Sequence, residues 1–244
     1  MDRPEQLSVE HTILERPFME FPPFGKDEQG AKIRDISGTI VKANVEHLEE
    51  GASRSSEPET AARAIQELCR LLNERIRDPV YHVTPKFLKN IWHSYSYEFV
   101  CYVREFCQKL SGDPQFHFNT GRYNHITAVT RILGRHLSVA RIFSMYAHYV
   151  QKYASRDVVE ITVANATDRS ITIRLKLTER AFRQFGPYRK RCAEMVYESA
   201  HGALIGLPEQ IHGLPPATAI HRACTVNGDE WCEWGVTWTP GETP

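Results

Sequence analysis

The stretch TAIHRACTVNGDEWCEWGVTW, Thr218–Trp238, decides how this chain is read. Two runs of alternating residues flank Asn227-Gly228-Asp229, a turn signal of the kind that joins antiparallel strands. A three-residue loop centred on Gly228 pairs Cys224 with Cys232, Arg222 with Trp234 and Ile220 with Val236. Gly228 then sits where φ must be positive, which a residue without Cβ accepts freely. In that register Cys232, Trp234, Val236 and Trp238 share one face, with Arg222 over Trp234. A two-residue loop would break the cysteine pairing.

Upstream, DVVEITVANATDRSITIRLKL reads as two more strands around a polar turn at Asn165–Ser170. Ile171, Ile173, Leu175 and Leu177 alternate with Thr172, Arg174 and Lys176, the pattern of a half-buried strand. Between these strands and the hairpin, a helix is expected from Thr178, interrupted at Gly186-Pro187 and ending near Ile205, before two Gly-Leu-Pro repeats.

The preceding part has a helical period. Ala62, Ile65, Leu68, Cys69, Leu72 and Ile76 recur at intervals of three and four. Thr84-Pro85 supplies an N-cap with proline in the first turn, for a helix predicted from Pro85 to about Leu110 and stopped by Ser111-Gly112-Asp113-Pro114. Further helices are predicted near 120–134 and 138–154. Residues 31–50 read as a strand, Gly38 to Lys42, running into a short helix. The first thirty residues, broken by Pro22-Pro23, read as an extended arm whose Phe18, Phe21 and Phe24 pin it to the body or meet a partner. Four segments follow: an arm and linker over 1–58, a helical region over 59–155, a mixed part over 156–240 and a tail over 241–244.

With 244 residues, 41% of them hydrophobic and 25% charged, the chain has the balance of a soluble globular protein. No apolar run is long enough to span a bilayer. The first thirty residues carry seven acids and no apolar block, so they are not an export or transit signal, and a cytoplasmic setting is expected. Six cysteines in that setting read as buried thiols or metal ligands rather than a disulfide framework. Thirty basic and thirty acidic residues cancel overall, but residues 121–191 hold fourteen lysines and arginines against four acids. That block is either a solvated face or a site for an anionic ligand or acidic partner. Nucleic-acid binding is the rival reading, weakened by the absence of any helix-turn-helix or ribonucleoprotein pattern. A reductase or lyase is the enzyme rival; no G-x-S-x-G, H-E-x-x-H or P-loop is present, so catalysis is not expected.

Taken together, Tyr197-Glu198-Ser199-Ala200-His201-Gly202, Gly206-Leu207-Pro208, the C-x7-C spacing of Cys224 and Cys232 around Gly228-Asp229, and Trp238 resemble the 4-vinyl-reductase-type sensory domain. Leu110–Phe116 is similar to the helical section that often precedes it, so the resemblance covers about residues 60–240. Such domains stand at the N-terminus of bacterial histidine kinases, nucleotide cyclases and phenol-type activators. The resemblance implies an α+β fold, with a helical N-terminal half on a small antiparallel sheet, related to haem nitric-oxide sensors and transport-complex ligand-binding subunits. It implies binding of a small hydrophobic or aromatic ligand and signalling to an output domain or partner protein, with a homodimer as one arrangement.

Phenol-sensing members hold zinc with the C-x7-C pair, an acid three residues before the first cysteine, and a cysteine upstream. Cys224 and Cys232 match the pair, and His221 takes the acid's place. The upstream cysteine has no direct match, the helix there offering Cys192, Glu198 and His201, of which His201 completes the candidate set. His221 and Cys224 differ by three residues, so a regular strand points them to opposite faces and a bulge at Arg222-Ala223 is needed to bring them together. Two buried core cysteines and a cross-strand disulfide are the alternatives. Haem is a second cofactor reading, with His93, His117, His125, His136 and His148 as available ligands. For the organic ligand, Trp92, Tyr95 and Phe99, with Phe143 and Tyr146 from a later helix, are candidate pocket walls.

Overall fold

The computed structural model describes residues 12–53, 58–124, 126–183 and 185–239. The predicted linker's centre at 54–57, the first eleven residues of the arm, His125 and the tail lie outside the described residues. The elements run β1 (Ile36–Ser37), α1 (Gly38–Ser53), α2 (Pro58–Arg75), α3 (Pro85–Leu88), β2 (Ser94–Tyr95), α4 (Tyr97–Ser111), α5 (Phe116–Asn124), α6 (Ala128–Gly134), α7 (Val139–Ser144), α8 (Tyr146–Tyr153), β3 (Val159–Ala164), β4 (Ser170–Leu177), α9 (Glu179–Arg183), α10 (Arg189–His212), β5 (Thr218–Ala223) and β6 (Cys232–Thr237). The fold is α+β: a helical N-terminal half and a four-stranded antiparallel sheet in the order β3-β4-β6-β5, with β1 and β2 forming a separate two-stranded ribbon.

The sheet follows from its alternation. Ile171, Ile173, Leu175 and Leu177 of β4 are buried, as are Cys232, Trp234 and Val236 of β6, so one sheet face is apolar and covered. Arg174 and Lys176 point away from the core and pair with Glu233 and Glu160 on the neighbouring strands.

Four sequence expectations are corrected. Gly38 to Lys42 is helical, not a strand, because Val41, Val45 and Leu48 bury one helical face. The helix predicted from Pro85 to Leu110 is two helices, α3 and α4. Thr84 Oγ1 caps α3 by accepting from Phe87 N. Between them, Asn90 Oδ1 accepts from Trp92 N and Ser96 begins a new N-cap by accepting from Phe99 N. The two helices predicted near 120–134 and 138–154 are four shorter ones, α5 to α8. Finally, α10 passes through Gly206-Leu207-Pro208 to His212 and ends at Gly213, whose φ of 67° closes it. Pro208 falls close to that end and has no N–H to offer Leu204 O, while Ala217 N–H reaches Ile205 O from beyond the helix.

Two interfaces hold the helical half. The arm is fixed by Glu98, a buried carboxylate on α4 that accepts from the backbone N–H groups of Glu20 and Phe21 and from Arg16 at 3.0 Å. Phe24 packs against Tyr81, Phe87 and Tyr95, while Phe18 stays half exposed under Arg77. Across the molecule, α5 and α10 cross at backbone contact. A Cβ built on Gly121 would lie 1.9 Å from Ser199 O, and one on Gly202 would lie 2.0 Å from Phe118 O. Gly121 of α5 and Gly202 of α10 are therefore a packing requirement, since no larger side chain fits the crossing.

Candidate functional site: a histidine and two cysteines at the hairpin mouth

The β5–β6 hairpin starts one residue out of the predicted register. Thr218 faces Thr237, Ile220 faces Gly235 and His221 faces Trp234. The strand then bulges, and Ala223 faces Glu233. Arg222 is the residue absorbed, so its predicted pairing with Trp234, and that of Ile220 with Val236, are corrected. The predicted alignment holds only at the mouth, where the Cys232 thiol lies 3.1 Å from Cys224 Sγ. His221, not Arg222, covers the indole of Trp234, stacked at 4.7 Å with planes 10° apart.

The turn is built by its own backbone. Thr225–Asn227 forms a single 3-10 turn and Gly228 adopts φ 98°. Asp229 folds back so that its Oδ2 accepts from Cys224 N at 2.8 Å, while its N–H donates to Cys224 O. Thr225 N–H points at Cys232 Sγ at 3.3 Å, and Thr225 Oγ1 meets the Tyr197 hydroxyl of α10 at 2.7 Å. The cysteines are thus locked between the turn and α10.

The bulge has a chemical result. The ligand-type atoms of His221, Cys224 and Cys232 all lie within 4.8 Å of one another. Both cysteines are buried and His221 reaches solvent. Burial and the neighbouring Cys224 thiol push Cys232 up to about 12, so its protonated form prevails near neutrality in the absence of a cation. Burial, then the charge of His201, holds His221 below its ordinary value, which keeps the imidazole neutral and able to donate a lone pair.

His201 stands nearby but is not part of the trio: its Nε2 meets Ala219 O at 3.0 Å. Cys192 lies elsewhere, buried in the α4–α10 seam, where Tyr97 donates its hydroxyl to the Cys192 carbonyl. Zinc fits the donor set, since two thiols and an imidazole are ligands it takes in tetrahedral sites. Thiolates on one tetrahedral zinc stand roughly 3.8 Å apart for a Zn–S bond of about 2.3 Å. The observed 3.1 Å therefore needs only a small opening of the hairpin mouth.

The five aromatic candidates fall in separate places. Tyr95 and Phe99 stack at 5.0 Å beneath the arm, with the Tyr95 hydroxyl donated to Phe87 O. Phe143 stacks on Trp238 at 4.7 Å, against the end of the sheet, and Tyr146 is buried at the start of α8. Trp92 is 89% exposed and lines no interior wall. Of the histidines considered for haem, His136 and His148 are exposed and His93 packs on Phe87 and Tyr95. His117 alone of the four described is fully buried, and neither of its ring nitrogens has a hydrogen-bond partner.

Part of the basic block is neutralised in place. Arg122 pairs with Glu209, Arg180 with Asp35 and Asp157, Lys190 with Glu194, and Arg191 with Glu105. Sequence reading passed over Arg104, a buried arginine on α4. Its only signal was a charge on the same helical face as Tyr97 and Cys101.

No known family profile matches the chain, and no curated protein does. Among solved structures it is similar to the Fe(II) unliganded H-NOX protein from K. algicida, with a TM-score of 0.49 and 11% identity, covering 85% of this chain and 97% of that one. A point mutant of that same protein gives a TM-score of 0.43 with the same identity and coverage. Among the described residues, no helix is long and apolar enough to cross a membrane.

Proposed function

We propose that this chain is a sensory or regulatory domain of the 4-vinyl-reductase type that holds zinc at His221, Cys224 and Cys232 and responds to a small hydrophobic or aromatic ligand. The observation that carries the reading is the bulge at Arg222, which gathers a histidine and two cysteines that a regular strand would separate. Bound zinc would supply a cross-link between β5, the turn and β6, tying the hairpin in one geometry. The chain's own residues do the rest. Thr225 joins the cysteines to Tyr197 of α10, so a shift of α10 on ligand binding would be felt at the hairpin mouth. The outcome would be a change in the surface offered to an output domain or partner protein.

The experiment is zinc titration of the metal-stripped protein, followed by calorimetry and thermal melting. Binding of one equivalent with a raised melting temperature, lost in the Cys224→Ser/Cys232→Ser variant, supports the reading. No heat and no shift in the parent protein refutes it.

Haem is a second reading, favoured by one observation: His117 is buried with both nitrogens unpartnered, and burial lowers it to about 2, so it is a neutral imidazole. His117 would hold the haem iron, and Arg104, whose charge acts on that imidazole, would face the haem carboxylates. A visible absorption spectrum after haem addition tests it: a Soret band that His117→Leu abolishes supports haem, and its absence in the parent protein rejects it.

A further inference from the structure

Two arginines of the basic block carry charge that no carboxylate answers. Arg131 on α6 and Arg135, its C-cap, form no ion pair among the described residues. They stand one helical turn apart and line a cavity of about 440 Å³ together with Glu209, Gln210 and His212 from the end of α10. The two helices meet closely here, since a Cβ on Gly134 would lie 2.9 Å from Ile211 Cγ2. Among the described residues Glu209 is the sole carboxylate lining the cavity, and Arg122 engages it at 3.0 Å, so that pair cancels. The carbonyl end of α10 opposes an anion by about half an elementary charge. Two guanidinium groups outweigh it, and the cavity wall is net positive.

The same wall holds four buried polar atoms without a hydrogen-bond partner: Arg131 Nε, both amide atoms of Gln210, and His212 Nε2. Buried groups of this kind are costly unless something meets them. They are a mixed set. Arg131 Nε and the Gln210 amide nitrogen donate, whereas Gln210 Oε1 accepts. Burial, then the charge of Arg135, holds His212 below its ordinary value, so its neutral ring has a lone pair to offer. Water could meet these atoms but brings no counter-charge. A carboxylate or a sulfate brings charge but no proton for the acceptors. Hydrogenphosphate supplies both: two negative charges, oxygens that accept from guanidinium and amide, and one O–H that donates.

We infer that the cavity between α6 and the end of α10 is a binding site for inorganic phosphate, with Arg131 and Arg135 balancing its charge and Gln210 and His212 reading its oxygens and its proton. The site lies apart from the hairpin and needs neither zinc nor haem. Bound phosphate would tie α6 to the last turn of α10, the helix whose Tyr197 meets Thr225 at the hairpin mouth. Occupancy at one end of α10 would thereby steady the element that reaches the thiols at the other.

The test is calorimetric titration of the purified full chain with sodium phosphate near neutral pH at constant ionic strength. One equivalent should bind with a Kd of about 0.1 mM or tighter. Arg131→Gln and His212→Phe should each weaken binding tenfold or more. Arg169→Gln, in the exposed turn between β3 and β4, should leave it unchanged. Sodium sulfate, alike in shape and charge but without a proton at neutral pH, should bind at least tenfold more weakly than phosphate. No saturable heat from phosphate overturns the site. Equal affinity for sulfate overturns its assignment to phosphate, and equal losses in Arg131→Gln and Arg169→Gln would reduce it to unspecific charge attraction.

Discussion

His221 stacks on Trp234 across the hairpin at 4.7 Å, and the same backbone step that puts it there brings its imidazole to the thiols of Cys224 and Cys232. Both relationships depend on one absorbed residue, Arg222, between His221 and Ala223. Deleting Arg222 would remove the bulge yet leave His221 and Cys224 two positions apart on one sheet face, so the histidine itself is the place to test. His221→Ala should keep a folded hairpin yet lose zinc affinity by tenfold or more in a competitive chelator titration. Unchanged affinity would show that His221 is not a ligand.

Gly228 carries φ 98°, a conformation that L side chains rarely adopt, although a Cβ there would meet open space. The cost of Gly228→Val is therefore backbone strain rather than a clash, about 1 kcal/mol or more. Urea unfolding of the two proteins measures it. Equal stability would mean that the turn relaxes freely.

Gly202 presents the opposite case. Its backbone is ordinary helix, but a Cβ would sit 2.0 Å from Phe118 O, so Gly202→Ala must push α5 and α10 apart. Overpacking of this kind costs about 1–3 kcal/mol or more. The same unfolding assay should show a larger loss here than at Gly228. A neutral alanine would mean that the helices do not touch.

The buried His117 fixes a direction for pH dependence. Its pKa is about 2 in the fold against an ordinary 6.5, lowered first by burial and then by Arg104 and Arg191. Between those values the unfolded chain carries a proton that the folded chain refuses. The contribution is therefore present above pH 6.5 and is lost as pH falls, with a slope approaching about 1.4 kcal/mol per pH unit. His117→Leu should flatten the acid limb of stability against pH. An unchanged limb would place the sensitivity in other groups.

Much of this was written in the residues. The alternation of Ile171 through Leu177 located a half-buried strand, and Gly228 located the positive-φ turn. The cysteine pair was legible because both strands meet symmetrically at the turn. The register beyond it was not, because a bulge leaves no composition signal and shifts every later pair by one. The break between α3 and α4 was hidden for a similar reason: Asn90-Ile91-Trp92-His93 contains neither glycine nor proline, and the chain turns on an asparagine side chain and a new serine cap. Gly38–Lys42 misled because its β-branched Thr39, Ile40 and Val41 favour strands, whereas burial of Val41, Val45 and Leu48 against neighbouring helices decided for a helix. The aromatic candidates shared a helical period without sharing a place, since periodicity marks a buried face but not which neighbour covers it.

The most direct test of the central claim is native mass spectrometry of the purified chain, with and without one equivalent of zinc, alongside the Cys224→Ser/Cys232→Ser variant. The account predicts a single zinc ion on the parent protein and none on the variant. A parent chain that stays bare when zinc is supplied would contradict it and reduce His221, Cys224 and Cys232 to packing residues at the hairpin mouth.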